Sequence, residues 1–485
     1  MRPGRADLRR RSLRGGRDER SFLARLRDGF DDFARSSPSR FAILVFTSLI
    51  TILALLLATP WAARDRQPTD FADALFTAVS AICVTGLTTV DMSTHWSTFG
   101  NVAILIGLQV GGIGVLTLAS ILGLVVSRRL GLRQRLIAAS DTNPARSHAG
   151  PVSESQAVRL GEIGGLLATV ALSALIIEVI LMLALIPRLL LYGLDPWGAI
   201  WKSFYFAASA FTNTGFVPTE AGVEPFATDP WFLAVIAFGV FLGSLGFPVI
   251  FALLRWAKSR ARLSLHVKLT LVTTIGLLFL GAIAIGLLEW DNPQTLGSQT
   301  PWFRPVTALF TSFMTRSGGF STIDIDQTDG STKLVMDMLM FVGGGSASTA
   351  GGIKVTTLAV LFLAAFAEAK GDNDMQVFER RIPVDVLRLA VSVVLWGATI
   401  VATSSIIILR ITHDPLDRVL FDVISAFATC GLSTGLTESL PDAGKYVLAA
   451  TMWAGRVGTV TLAAALAAAQ RRQLYTRAEE RPIVG

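Results

Sequence analysis

The sequence predicts an all-α integral membrane protein: four parallel helix–loop–helix repeats around one central axis, with eight spanning helices and four reentrant half-helices. Three observations carry that reading. Hydrophobic residues make up 52% of the 485 and charged residues only 16%, with a mean hydropathy of +0.55; a soluble chain carries about 25% charged residues. Eight apolar runs are long enough for a bilayer, which takes about 20 residues; they lie near 41–62, 99–126, 163–186, 231–254, 269–288, 334–367, 386–409 and 446–469. Between the runs of each successive pair lies a shorter apolar segment that ends in a similar glycine-containing phrase.

Taken in order, residues 1–40 form a basic tail with twelve arginines against six acids. The apolar run after it is too long for a signal-peptide core and has no small-residue cleavage site. Repeat 1 occupies 41–127, repeat 2 158–257, repeat 3 266–369 and repeat 4 383–470, with a second tail at 471–485. Arg128, Arg129, Arg133 and Arg135 follow the second run, and Arg255, Lys258, Arg260, Arg262 and Lys268 follow the fourth. The alternate loops carry acids instead, among them Asp91, Glu220, Asp229, Asp324 and Asp442. Positive residues stay inside, so both termini are predicted to be cytoplasmic. The tail then orients the chain or touches anionic lipid; nothing else suggests nucleic-acid binding. Cys83 and Cys430 make no disulfide framework, and the four histidines have no metal-ligand spacing.

The short segments repeat. Aligned on their final glycine, three of the four place Ser-Ala six and five residues earlier: Ser80-Ala81, Ser209-Ala210 and Ser425-Ala426. The third is one residue shorter and lacks the pair. All four follow the glycine with Leu or Phe. Half-helices of about 10–13 residues are too short to span, and non-helical backbone at membrane depth survives only when buried or lining a water-filled path. Four such segments in one chain can share one pore. Backbone carbonyls from four loops can replace the water shell of a dehydrating cation, and glycine reaches the backbone conformations this needs without steric cost. The candidate ion-binding residues are Val84, Thr85 and Gly86; Asn213, Thr214 and Gly215; Gly318 and Gly319; and Thr429, Cys430 and Gly431. The half-helices would aim partly negative C-terminal ends at the ion.

Two further features stand out. The sixth run is interrupted by Gly343, Gly344, Gly345, Ser346, Ala347, Ser348, Thr349, Ala350, Gly351 and Gly352. Five glycines in ten residues make a poor helix, so the segment reads as a flexible loop with free carbonyls, or alternatively as small-residue helix packing. Arg456 lies deep in the last run. A charge there marks an ion pathway or a buried pair, with Asp337 or Glu178 as the available acids. Arg316 and Asp422 are expected to brace the loops.

These phrases, with Gln109-Val110-Gly111-Gly112-Ile113-Gly114 and Ser244-Leu245-Gly246-Phe247-Pro248, resemble the Trk/Ktr/HKT superfamily of cation transporters over about residues 41–470. With one span before the first phrase, the chain looks most like the Ktr-type membrane subunit. The resemblance implies K⁺ as the transported ion, no cofactor within this chain, residues 343–352 as an intramembrane gating loop, and Arg456 as an electrostatic barrier beneath the filter. It also implies a homodimer in the cell membrane, seated on a cytosolic ring of nucleotide-binding regulatory subunits. Glycine at 86, where sodium-preferring plant relatives have serine, implies K⁺ preference. The third phrase, Arg316-Ser317-Gly318-Gly319-Phe320, departs from the commoner Arg-Thr-Ala-Gly-Phe. The competing readings are a non-selective or Na⁺-conducting cation transporter of the same fold and a secondary transporter of an organic solute. A membrane enzyme lacks any catalytic cluster.

Overall fold

A computed structural model describes residues 38–129, 160–219, 222–260, 262–372 and 374–458. Outside them lie most of the basic tail 1–40, the loop bearing Arg133 and Arg135, Glu220, Ala261, the end of the last run and the tail 471–485. The described chain is mostly helical, with almost no strand. Helix α1 spans Pro38–Leu57, α2 Phe71–Ile82 and α3 Thr98–Arg129; α4 spans Leu160–Leu191, α5 Pro196–Thr212, α6 Pro230–Leu245 and α7 Phe247–Ser259. They are followed by α8 Leu265–Leu288, α9 Arg304–Thr315, α10 Gly330–Val342 and α11 Val355–Lys370. A two-stranded hairpin, β1 Met375–Val377 with antiparallel β2 Arg380–Ile382, leads to α12 Val384–Thr412 and α13 Leu416–Ala428. One turn, α14 Leu436–Ser439, precedes α15 Asp442–Trp453, which runs into a π-helical turn at Ala454–Gly458.

Among the described residues, Ala168–Leu191, Leu265–Leu288 and Val384–Thr412 are long and apolar enough to cross a membrane, and α6 with α7 would make a fourth, bent by 103°. Their outward faces stay apolar: Ile180 is 59% exposed, Leu280 63% and Ile406 67%. Such faces suit hydrocarbon, not water.

Several boundaries differ from the sequence expectation. The first run ends at Leu57, not near residue 62, because Pro60 disfavours helix in the residue before it and cannot donate to the ladder. The fourth run does not continue as one helix: Gly246 takes φ 84 and ψ 152, and Pro248 starts a new helix. The sixth run is broken between Val342 and Val355. Half-helix α5 has 17 residues, beyond the expected 10–13, because Asp195 caps it and Pro196 opens it well upstream. The hairpin was not anticipated; Phe378 and Glu379 turn it with φ 49 and 62.

The half-helices are the centre of the packing. Each packs against helices before and after it in sequence, and each also touches a helix that follows the preceding half-helix. Thus α5 meets α3, α9 meets α6, α13 meets α10, and α2 meets α15. The last of these contacts joins the end of the described chain to its beginning, so the arrangement closes on itself. Its interior is the largest apolar cluster, in which Phe76, Ala81, Tyr205, Phe421 and Phe427 are at most 2% exposed.

Candidate functional site

The four glycine phrases meet at the middle of this closed arrangement. Each follows the C-terminus of a half-helix, and each repeats one backbone pattern. The glycines 86, 215, 319 and 431 hold φ of 93, 81, 73 and 95, and the residues two positions earlier are left-handed as well: Val84 58, Asn213 61, Ser317 107 and Thr429 47. Left-handed backbone costs an L-residue about 1–2 kcal/mol, so four occurrences at one register record a shared constraint.

What the glycines make room for is backbone. A Cβ on Gly215 would lie 2.7 Å from the Cα of Gly319 and 3.0 Å from the Gly318 oxygen. One on Gly319 would lie 2.8 Å from the Cys430 oxygen and 3.0 Å from that of Thr214. On Gly86 it would overlap the Thr214 carbonyl, and on Gly431 that of Thr85. The carbonyls of Thr85, Thr214, Gly318 and Cys430 therefore crowd together, one from each loop.

The serines of the repeat explain how the loops are held. The Ser80 carbonyl accepts from Thr85 N at 2.7 Å and its hydroxyl from Gly86 N at 3.0 Å. Ser425 does the same for Cys430 N at 2.9 Å and Gly431 N at 3.2 Å. The Ser209 carbonyl takes Thr214 N at 2.9 Å, but its buried hydroxyl has no partner among the described residues. In the third loop the Met314 carbonyl substitutes, accepting from Gly318 N at 2.7 Å and Gly319 N at 3.4 Å. Further bonds tie this loop to the fourth: Ser317 Oγ donates to the Thr429 oxygen at 3.3 Å and Cys430 Sγ to that of Met314 at 3.3 Å. Asp422, fully buried, accepts from Thr434 N at 3.2 Å and from its hydroxyl, which fixes the strand leaving the fourth phrase.

Residues 343–352 pack directly against these loops as non-helical chain. The break at Gly246 frees carbonyls of α6, and the segment uses them: Gly345 N donates to Ser244 O at 2.8 Å and Thr349 N to Gly243 O at 3.2 Å. A Cβ on Gly246 would lie 2.6 Å from Ala347 O and 2.8 Å from Ser346 O, so the segment sits in the elbow of the bend. Ser348 Oγ closes it on Gly345 O at 2.6 Å. The Thr349 hydroxyl donates to Phe211 O at 3.3 Å. Gly351 packs against Thr429 and the Ala428 carbonyl, and Gly344 against Ser244. Gly352 lies beside Ala428, with φ 64. Lys354 Nζ donates to Ala350 O at 2.6 Å.

Arg456 is 2% exposed in the π turn and donates from Nη1 to the Thr349 carbonyl. Its Nε and Nη2 have no hydrogen-bond partner among the described residues. Neither candidate acid pairs with it there: Glu178 accepts from the Gln109 amide, and Asp337 Oδ1 is unpartnered. Sequence reasoning missed Gly243 and Gly455. With Gly111, they let three helices touch the half-helix ends at the carbonyls of Ile82, Phe211 and Phe427. In each case that carbonyl lies four residues before the phrase's glycine, a register visible in the repeat.

Comparison with known proteins adds an independent line. The TrkH family profile, described as a cation transport protein, matches residues 31–473. The "Ktr system potassium uptake protein B" of Vibrio alginolyticus is 33% identical over 91% of this chain and 93% of its own length. The "Potassium/sodium uptake protein NtpJ" of Enterococcus hirae is 32% identical over 88% of this chain and 92% of its own. Among solved structures, the potassium transporter TrkH from Vibrio parahaemolyticus superposes with a TM-score of 0.65 at 20% identity, covering 88% of this chain and 83% of that one.

Proposed function

The chain belongs to the TrkH family of cation transport proteins, and from that premise we propose that it is the pore-forming subunit of a potassium uptake system. It is a multi-pass membrane protein and a transporter, not an enzyme. The observation that carries the proposal is the meeting of four carbonyls, those of Thr85, Thr214, Gly318 and Cys430, one from each glycine phrase.

A K⁺ ion that sheds water needs such a ring of oxygens. Four half-helices ending at the ring add partial negative charge where the cation would sit. Residues 343–352 act as the gate, held closed at Thr349 by Arg456, whose fixed charge opposes cation leak. A cytosolic ring of nucleotide-binding regulatory subunits moves the gate, and two copies of the chain pair in the cell membrane with their termini in the cytoplasm. The support for a partner is the resemblance to relatives named as parts of a Ktr system.

Uptake of radioactive Rb⁺ into proteoliposomes of the purified chain, competed separately by K⁺ and Na⁺, tests the reading. Competition by K⁺ well above that by Na⁺ is the expected result. Equal competition favours the second reading, a shared K⁺ and Na⁺ path, which the potassium/sodium relative and the unusual third phrase motivate. Competition by an organic solute alone overturns both.

A further inference from the structure

Arg316 closes the third half-helix, so its backbone belongs to the third glycine phrase, yet its side chain leaves that loop. The guanidinium is 4% exposed; Nη1 donates to Thr274 O of α8 at 2.7 Å and Nη2 to Gly343 O at 2.9 Å. Gly343 is the first residue of the 343–352 segment, with φ 51 and its own N–H held on Met340 O at 3.0 Å. Ser317, next to Arg316, carries the largest positive φ of any described non-glycine residue, 107, and its hydroxyl reaches the fourth loop. A continuous path of bonds thus runs from the fourth phrase through the third and Arg316 to the first residue of the segment. Lys354 and Arg456 hold other points of the segment, but neither has its backbone in a phrase.

We propose that Arg316 is a positioning residue that couples the 343–352 segment to the ion-selecting loops, so that movement of the segment reshapes the third loop. This rests on the reading of the phrases as filter and the segment as gate. The physical reason is that a buried guanidinium cannot cheaply lose an acceptor. If Gly343 moves away, Arg316 must follow it or be left with an unpaired donor, and its backbone is the start of the phrase. Its planar fork reaches the two acceptors from separate nitrogens in a fixed geometry, which the single ammonium of a lysine does not reproduce.

The test combines Arg316→Gln and Arg316→Lys with deletion of 344–351, reading Rb⁺ flux and the K⁺ over Na⁺ ratio in proteoliposomes. With the segment intact, each Arg316 variant shifts the ratio by about fivefold or more, within the usual range of coupling between sites. With residues 344–351 deleted, Gly343 keeps its bond to Arg316 but no longer carries the segment whose movement would reach the third loop, and the same substitutions leave the ratio unchanged. Equal shifts in both backgrounds, or a fall in flux with a constant ratio, reduce Arg316 to a structural brace and overturn the coupling. If both variants fail to fold, Gly343→Ala moves the acceptor while keeping Arg316; an unchanged ratio there also overturns it. Unchanged flux on deletion alone refutes the gate reading instead, which keeps the two failures distinct.

Discussion

Replacing Gly86 by serine perturbs the carbonyl ring at one backbone position. Gly86 holds φ 93, and a Cβ there would lie 2.8 Å from the Thr214 carbonyl carbon and nearer still to its oxygen. No rotamer relieves that overlap, because the partner is backbone. The left-handed conformation alone costs about 1–2 kcal/mol, and the chain sheds the strain and the overlap by moving the first loop, the Thr214 carbonyl, or both. Under the proposed function those oxygens are the ion's ligands, and discrimination between K⁺ and Na⁺ then depends on where they stand. Losing about 1.5–3 kcal/mol of the difference reduces the preference about ten- to hundredfold, at 1.4 kcal/mol per tenfold. The assay is Rb⁺ uptake competed by K⁺ and by Na⁺, with thermal unfolding as the check on folding. A folded Gly86→Ser protein with an unchanged ratio would refute the placement of Gly86 in the ring.

Other perturbations separate the parts of the account. Ser80→Ala strands the buried Gly86 N–H and is expected to cost about 1–3 kcal/mol, whereas Ser209→Ala, whose hydroxyl has no partner among the described residues, is expected to be near neutral; thermal unfolding compares them. Arg456→Gln removes both the bond to Thr349 and a fixed charge worth a few kcal/mol at short range, about 4 kcal/mol at 4 Å in an effective dielectric of 20. Basal Rb⁺ flux should rise about tenfold or more, and an unchanged flux would count against the barrier. At Glu289, burial pushes the carboxyl up. The Thr295 hydroxyl, the Asp329 N–H and the Asn292 amide together nevertheless hold it below its ordinary range. Its folded pKa is lowered, so its stabilisation is present above the unfolded value of about 4.3 and lost as pH falls through the folded one. Glu289→Gln should therefore unfold more easily at pH 7, and the gap to the parent should close in acid.

The sequence made the phrases visible because only glycine tolerates the backbone at 86, 215, 319 and 431, and because a serine six residues earlier recurs wherever its hydroxyl or carbonyl holds the loop. It also marked where the third loop departs, although not that Met314 takes over the serine's task. The bend at Gly246 stayed hidden, since apolarity runs unbroken from 231 to 254 and reports burial, not direction; Gly246 with Pro248 was the available signal. Residues 343–352 were legible as a break, but not the elbow that receives them, because Gly243 and Ser244 act through their carbonyls. Arg456 was conspicuous as a buried charge. Its acceptor, a main-chain oxygen of Thr349, has no sequence signature, so the acids Asp337 and Glu178 drew attention that the structure does not support.

The central claim is that one cation sits among four main-chain carbonyls. Anomalous scattering from crystals of the protein grown in Rb⁺ or Tl⁺ tests it most directly. A peak is expected on the shared axis, within coordinating distance of the carbonyls of Thr85, Thr214, Gly318 and Cys430, and weaker in Gly86→Ser crystals. A fully occupied peak elsewhere in the membrane region, with none at the four carbonyls, would contradict it.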